Sequence, residues 1–396
     1  MNATPERDRR PADNIKVVHV ITGLSTGGAE MMLYKLLAAM DRARFDNRVV
    51  SLTDGGRMAE RIGDLGLPVT SLSMTRGVPD PRALYALIRL LRRERPDLVQ
   101  TWLYHADLLG LLAARLAGVP GVAWNLRCSF MGPAFYRGKT RLLLKLLSAL
   151  SRQPQAIVVN SKAGRQLHED LGYHPRRWVR IPNGFDTETF RPDAEAPDWL
   201  RQELGLHRPT RVIGYVARDD PIKDHETFLR AAALLLERRP DCHFVLVGDG
   251  ITATNENLTA FASRSGRRGH FHFLGWRQDT QRISAGLDIA SLTSRGEGFS
   301  NVLGEAMACG VPCVATDVGD NAAIIGDTGR LVPVADPAAL ATAWDDLLSR
   351  PPSALTALGQ RARQRIRREF SLARIAASYE TLYAELAGSS HARNAA

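Results

Sequence analysis

Only four cysteines, Cys128, Cys242, Cys309 and Cys313, stand among the 396 residues, too few and too irregularly spaced for a disulfide framework. Cys309 and Cys313 are separated by Gly-Val-Pro, and no second pair completes a zinc site. A reduced, cytoplasmic chain with buried thiols fits that usage. Long apolar runs are also missing: the best candidate, Asp107 to Trp124, is interrupted by Asp107, Arg115 and Pro120 and is no bilayer span. Residues 1–14, MNATPERDRRPADN, are polar, hold two prolines and lack an apolar core. They read as a disordered lead-in, not as a secretory signal. Absent too are the G-x-G-x-x-G dinucleotide fingerprint and an Asp-x-Asp pair placed to hold a divalent ion on a diphosphate.

Acid is in deficit. The net charge is +10, which suits nucleic acid, anionic lipid or phosphorylated small molecules, and the sign alone does not choose. The basic residues are spread along helices instead of forming a tail. Two segments concentrate them, Arg137 to Arg152 (RGKTRLLLKLLSALSR) and Arg361 to Arg368 (RARQRIRR). The first reads either as an amphipathic helix resting on an anionic membrane surface or as a solvated helix with a core-facing leucine stripe.

What the sequence does have is length for two domains, 44% hydrophobic residues and a repeated alternation of short apolar runs with helical ones. Strand-like runs at Lys16 to Gly23, Asp46 to Thr53, Asp97 to Thr101 and Ala156 to Asn160 alternate with helical spacing at Ala29 to Met40, Met58 to Leu65, Leu108 to Ala117 and Lys162 to Leu171. The rhythm restarts with strands at Thr210 to Val216, His243 to Val247, Phe271 to Leu274, Asp288 to Leu292 and Pro312 to Ala315. Helices are expected between them at Glu226 to Glu237, Leu258 to Arg264 and Val302 to Cys309. The pattern predicts an α/β protein with two Rossmann-like, doubly wound domains. Pro192, Pro197 and Pro209 place the boundary around Phe190 to Pro209, giving domains over residues 15–195 and 205–370. A closing amphipathic helix over 371–388 follows. Such sheets bind ligands at the carboxyl ends of their strands.

Three segments carry chemistry. In Glu297 to Gly310, EGFSNVLGEAMACG, a Gly-rich turn precedes a short helix starting near Ser300 or Asn301. Its amino end offers unpaired N–H groups and a positive dipole to phosphate. Glu297 on the loop and Glu305 one turn into the helix are placed to accept hydrogen bonds from sugar and ribose hydroxyls; the plainer reading is that Glu305 pairs with a nearby base. In Val216 to His225, VARDDPIKDH, Arg218 and Lys223 follow a strand end, as cations gripping a diphosphate should; alone, the segment also reads as a solvated turn. In Gly23 to Glu30, GLSTGGAE, Gly27 and Gly28 open a strand-to-helix turn that lets the backbone approach an anion.

In this order and register, over His19 to about Leu386, the segments resemble the retaining glycosyltransferases of the GT-B fold, family four or group 1. Glu297 and Glu305, with seven residues between them, match that family's two-glutamate motif. Arg218 and Lys223 match its basic pair, and Gly27 and Gly28 its amino-terminal turn. The resemblance implies that His105, in QTWLYHADLLG, reaches towards the donor sugar, although a lone histidine there otherwise reads as a satisfied core residue. It implies that Gly298, Phe299, Ser300 and Asn301 form the turn meeting phosphates and sugar, and that Leu274 and Gly275 lie beside the nucleobase. Asn183 and Gly184, in IPNGFD, match a turn near the interdomain linker. The closing helix is expected to cross back onto the first domain. One departure is DVGDNAAIIGDTG after the strand Pro312 to Ala315, where relatives carry Gly-Gly and then Pro-Glu. Another is Asp219-Asp220 beside Arg218, carboxylates expected to point away or to pair with Lys223.

The resemblance implies transfer of a hexose-type sugar from a UDP- or GDP-linked donor, with retention, no cofactor and no obligatory metal. The acceptor is expected to be a glycan or lipid-linked molecule. The loops near Met74 to Pro81 and Asn125 to Arg137, basic and partly apolar, suit such an acceptor at the inner face of the membrane. The rivals are a nucleotide-sugar epimerase of the same architecture, a nicotinamide-dependent oxidoreductase, which needs the missing fingerprint, and a basic nucleic-acid-binding protein. No nucleic-acid module is recognisable in the sequence.

Overall fold

The computed structural model describes residues 14–25, 27–75, 80–127, 138–264 and 266–394. The lead-in expected over 1–14 (apart from Asn14), Cys128 and the centres of both loops assigned to the acceptor lie outside the described residues. The chain divides into two compact units. One holds the residues up to Asn160, Gly164–Ile181 and the segment from Ala373 onwards; the other holds Ser161–Ala163 and Pro182–Leu372.

The first unit is built on seven strands: β1 Ile15–Ile21, β2 Phe45–Ser51, β3 Val69–Ser71, β4 Leu98–Trp102, β5 Gly121–Leu126, β6 Ala156–Val159 and β7 Trp178–Arg180. They pair in parallel in the order β3-β2-β1-β4-β5-β6-β7. The second unit has six: β8 Arg211–Val216, β9 Cys242–Val247, β10 Phe271–Phe273, β11 Ile289–Leu292, β12 Cys313–Thr316 and β13 Gly329–Val332, in the order β10-β9-β8-β11-β12-β13, again parallel. Parallel strands are covered on both faces, so they read as continuous apolar runs: Val17, Val18, Val20 and Ile21 of β1 are fully buried. Strand order reverses between β1 and β4 in one sheet and between β8 and β11 in the other. Those are the positions where crevices open at the carboxyl ends.

The main segment of the second unit begins at Pro182, earlier than the proline-marked stretch 190–209 expected from sequence. Those prolines punctuate a segment that already packs on the second sheet. Ala196 and Leu200 of the helix Ala196–Glu203 are fully buried. Buried Arg201 donates to the Thr210 carbonyl and to Asp288 at 2.5 Å, pinning the segment beneath β8 and β11. A second difference lies in the apolar run Asp107 to Trp124. It is a helix, Tyr104–Ala117, stopped by Gly118 at φ +74°, followed by β5. That helix starts four residues before the Leu108 expected.

The helix Leu372–Asn394 joins the first unit. Its Tyr379 hydroxyl accepts from Asn125 Nδ2 at 3.0 Å and Arg127 Nη2 at 3.1 Å, and its ring stacks on Trp102 at 6.3 Å. Among the described residues, no helix is long and apolar enough to cross a membrane. Cys242, Cys309 and Cys313 are buried free thiols.

Candidate active site

At the crevice of the second sheet, β8 ends at Val216 and a 3-10 turn, Pro221–Lys223, follows. Asp220 caps that turn by accepting from the Ile222 N–H at 3.0 Å. The next residue, Asp224, sits at φ +50°, a left-handed conformation an aspartate tolerates better than most side chains. Its carboxylate accepts from Thr227 Oγ1 at 2.8 Å, capping the helix His225–Leu236, and from Arg295 Nε at 2.9 Å. The Lys223 carbonyl accepts from the Tyr215 hydroxyl and from Thr293 Oγ1 at 3.1 Å. Three elements therefore fix the backbone of Lys223. Its ammonium donates to Glu297 Oε1 at 2.5 Å, and Ser294 Oγ donates to the same oxygen at 2.7 Å. With side chains 19% and 12% exposed, Lys223 and Glu297 form an ion pair less screened than a surface one. The segment that follows β8 and the segment that follows β11 thus meet, through Lys223 and Glu297, where the strand order reverses.

The turn carrying Glu297 is held from behind. Gly319, at φ +58°, has no room for a Cβ, which would lie 2.2 Å from the Glu297 carbonyl oxygen. The Asp320 N–H donates to the Gly298 carbonyl at 2.9 Å. The DVGD segment, where this sequence departs from the family pattern, is thus a backbone support for the turn. Asn183, nearly fully buried, donates to the Phe299 carbonyl at 3.0 Å and to Asn301 Oδ1 at 2.8 Å. Phe185 stacks on Phe299 at 6.1 Å. The turn IPNGF, matched above only to a linker motif, therefore positions the loop ahead of the helix.

That helix runs Asn301–Ala308, with Ser300 at its cap accepting from the Leu303 N–H at 3.4 Å. Glu305 lies one turn in, half-buried. At the far end Arg363 donates to the carbonyls of Ala308 at 2.5 Å, Phe190 at 3.1 Å and Thr187 at 3.2 Å. Arg365 donates to those of Ala323 and Ile324. Two arginines of the basic run Arg361 to Arg368 are thereby engaged with carbonyls of the second unit.

Arg218 lies five residues before Lys223 but pairs with Asp220, Nη2 to Oδ2 at 2.6 Å, with its side chain 64% exposed. Of the two outcomes expected for Asp219 and Asp220, pointing away or pairing with Lys223, the second is not found: that ammonium is taken by Glu297. Asp219 instead accepts from Asn255 Nδ2 at 2.8 Å. Partial burial acts to raise the Asp220 pKa, yet the Ile222 N–H and Arg218 outweigh it and hold the carboxyl below its usual range. Leu274 and Gly275 follow β10; Gly275, at φ +67°, exchanges backbone hydrogen bonds with Ile251 and Gly248. The second unit thus gathers Arg218, Lys223, Leu274, Gly275, Glu297 and the run Gly298 to Glu305.

Gly27, Gly28 and His105 belong to the first unit. Gly27 caps the helix Gly28–Ala39 with extended backbone, and a Cβ there would meet the Glu30 carboxylate at 2.4 Å. His105, exposed, opens the helix Tyr104–Ala117 just past β4. It follows Leu103, whose φ of +73° and ψ of +155° lie in a region otherwise left to glycine. Sequence reasoning missed Ser294, Thr293, Tyr215 and Asp224. For Ser294 and Thr293 the available signal was their place immediately after β11. Among the described residues no cluster of three or more His, Cys, Asp or Glu side chains is fit to hold a metal ion.

Two family models match: Glycosyltransferase Family 4 over residues 26–189 and Glycosyl transferases group 1 over residues 210–350. An Escherichia coli UDP-Gal:alpha-D-GlcNAc-diphosphoundecaprenol alpha-1,3-galactosyltransferase is 27% identical over 78% of this chain and 81% of its own length. A D-inositol 3-phosphate glycosyltransferase of Mycolicibacterium gilvum is 34% identical over 50% of this chain; the match spans 45% of that relative's length. Among solved structures, Anabaena HepE in complex with UDP superposes with a TM-score of 0.83 at 22% identity, covering 94% of this chain and 100% of that one. That likeness establishes the shared fold.

Proposed function

Because the chain belongs to glycosyltransferase family 4, the group 1 glycosyltransferases of the GT-B fold, and is a glycosyltransferase acting on nucleotide sugars, we propose that it moves a hexose from a UDP- or GDP-linked donor with retention and without a metal. The acceptor is a glycan or a lipid-linked molecule, met in the cytoplasm at the inner face of the membrane. The observation that carries this reading is the Lys223–Glu297 pair at the crevice of the second sheet. As the sugar departs, negative charge develops on the diphosphate. A cation whose backbone is already fixed stabilises that charge once it turns from Glu297 to the phosphates. Arg218 reaches the same phosphates once it leaves Asp220, and the capped amino end of the helix Asn301–Ala308 adds its dipole. Leu274 and Gly275 flank the base, Glu305 holds the ribose and Glu297 a hydroxyl of the transferred sugar. His105 and the Gly27-Gly28 turn of the first unit keep the roles that the family pattern gives them.

In this mechanism the bond from the anomeric carbon to the diphosphate oxygen breaks while the acceptor oxygen bonds the same face. The acceptor proton passes to the departing diphosphate. Neither glutamate acts as a nucleophile. The test is a thermal-shift screen of UDP, GDP and ADP sugars, followed by turnover with the donor that stabilises the fold. Lys223→Ala should lower kcat by roughly 100- to 1000-fold, EDTA should leave the rate unchanged, and NMR should find the donor's anomeric configuration kept. Near wild-type kcat in the variant, loss of activity with EDTA, or an inverted product would each sink its part of the mechanism.

A further inference from the structure

The first unit has its own crevice, where β1 and β4 diverge, and a pocket of about 670 Å³ opens beside it. One end of the pocket is polar. Thr22 follows β1, Thr53 follows β2, His105 follows β4, and Lys139 and Asp80 complete that end. The rest is a trough of leucines. The helix Tyr104–Ala117 contributes Leu108, Leu109 and Leu112, and the helix Gly138–Leu150 contributes Leu142, Leu143 and Leu146. Leu111 of one helix and Leu144 and Leu147 of the other are buried in the core, and Leu108, Leu109 and Leu143 pack partly against it, which leaves Leu112, Leu142 and Leu146 as the exposed side of the trough. Leu142 is 70% exposed, Leu146 44% and Leu112 39%. Apolar side chains so exposed, contiguous and backed by a cavity mark a binding surface.

The geometry points to a chain-binding site for an amphiphilic acceptor: a hydrocarbon tail lies along the leucine trough, and its phosphate-bearing head sits at the carboxyl edge of the first sheet beside Lys139 and His105. This rests on the proposed glycosyltransferase reading and narrows its acceptor to a lipid phosphate. Charge complementarity selects the head: Lys139 is the cation among the lining side chains, and Asp80, which also lines the pocket, repels an anion, so the phosphate is assigned to Lys139. The pocket falls within the size range of sites for small ligands, about 300–1,000 Å³. It therefore takes the first part of a long chain and leaves the remainder outside, past Leu142.

The test uses the full chain and farnesyl phosphate below its aggregation concentration, followed by titration calorimetry, with farnesol and inorganic phosphate as controls. Farnesyl phosphate should bind at least tenfold more tightly than either control. The double variant L142E/L146E changes exposed positions only and should weaken that binding at least tenfold while leaving the thermal shift by the nucleotide-sugar donor unchanged. Leu108→Trp, which fills the trough, should do the same. Farnesyl phosphate binding no better than inorganic phosphate overturns the site. So does unchanged farnesyl phosphate affinity in L142E/L146E when that variant instead abolishes sedimentation with phosphatidylglycerol vesicles, which would make the leucines a membrane contact. A wild-type dimer dispersed by the same variant would make them a subunit interface and overturn it too. If the donor shift fails in the wild type while farnesyl phosphate binds, the nucleotide-sugar reading falls and the chain site stands.

Discussion

Gly304 is the position where the least atomic change should disturb the candidate site most. It lies inside the helix Asn301–Ala308 against the ring of Phe185, and a Cβ added there would stand 2.1, 2.4 and 2.5 Å from three ring carbons. Carbon atoms pack at about 3.5–4.0 Å, so the closest contact falls short by about 1.4 Å. Phe185 has little freedom to yield, being fully buried and stacked on Phe299. Inserting a methylene into such a core costs about 1–3 kcal/mol, and this clash belongs at the upper end. Alanine returns about 1 kcal/mol through its better helix propensity, leaving a net loss of about 2 kcal/mol for Gly304→Ala. In a unit of this size that lowers the melting temperature by about 4–8 °C. The relief available to the chain is a shift of the helix or of the Phe299 loop, which also moves Ser300, Asn301 and Glu305. Thermal unfolding followed with and without the nucleotide-sugar donor should therefore show both a lower midpoint and a smaller donor shift. Introducing the alanine into a Phe185→Leu background should cost less than half as much, a coupling read from the double-mutant cycle. A midpoint within 1 °C of wild type would refute the close-approach argument.

Two further predictions concern His19, which is buried, and Arg363, which is partly buried. His19 is fully buried, its Nε2 against Asn47 Oδ1 at 2.9 Å and its Nδ1 accepting from Trp102 Nε1 at 3.4 Å, and burial pushes its pKa down to about 4. Between about pH 6.5 and 4 the unfolded chain binds the extra proton, so stability falls as pH drops through that window, by about 3 kcal/mol in all. Urea midpoints should show a shallower acid loss for His19→Gln than for wild type; equal slopes would contradict the assignment. Arg363→Ala strips three carbonyls of their shared donor and should cost about 1–3 kcal/mol by denaturant unfolding. Arg363→Lys should recover only part of that, because one ammonium does not reproduce the forked guanidinium; full recovery by lysine would count against the three-carbonyl role.

Much of the architecture was legible because parallel strands buried on both faces leave nearly continuous apolar runs, as at Val17 to Ile21, broken by His19, and Cys242 to Val247, broken by His243. The short edge strands Val69–Ser71 and Trp178–Arg180 were not legible: three half-exposed residues carry no periodic signal. The helix Pro337–Leu348 was passed over although Asp336 and Pro337 announce it, with Asp336 accepting from the Ala339 N–H at 2.9 Å. In the candidate site, the residues with distinctive chemistry and spacing stood out. Their supports did not, since nothing local in the sequence joins Asn183 to Phe299 across 116 positions. The pairing of Lys223 with Glu297 was likewise not legible, because sequence proximity, which offered Asp219 and Asp220 as possible partners, is a poor guide where two strand ends converge.

The pairing of Lys223 with Glu297 also bears on how such a site could tell a loaded carrier from a spent one. Each charge of the pair already has its partner in the other. A diphosphate that draws Lys223 away leaves the Glu297 carboxylate with Ser294 alone, without its counter-charge, unless something arrives with it to donate a hydrogen bond. A sugar hydroxyl does so; a bare nucleotide brings none. The cost of a carboxylate that has lost its counter-charge falls on the product alone, so the contact that grips the donor also helps to expel what remains of it.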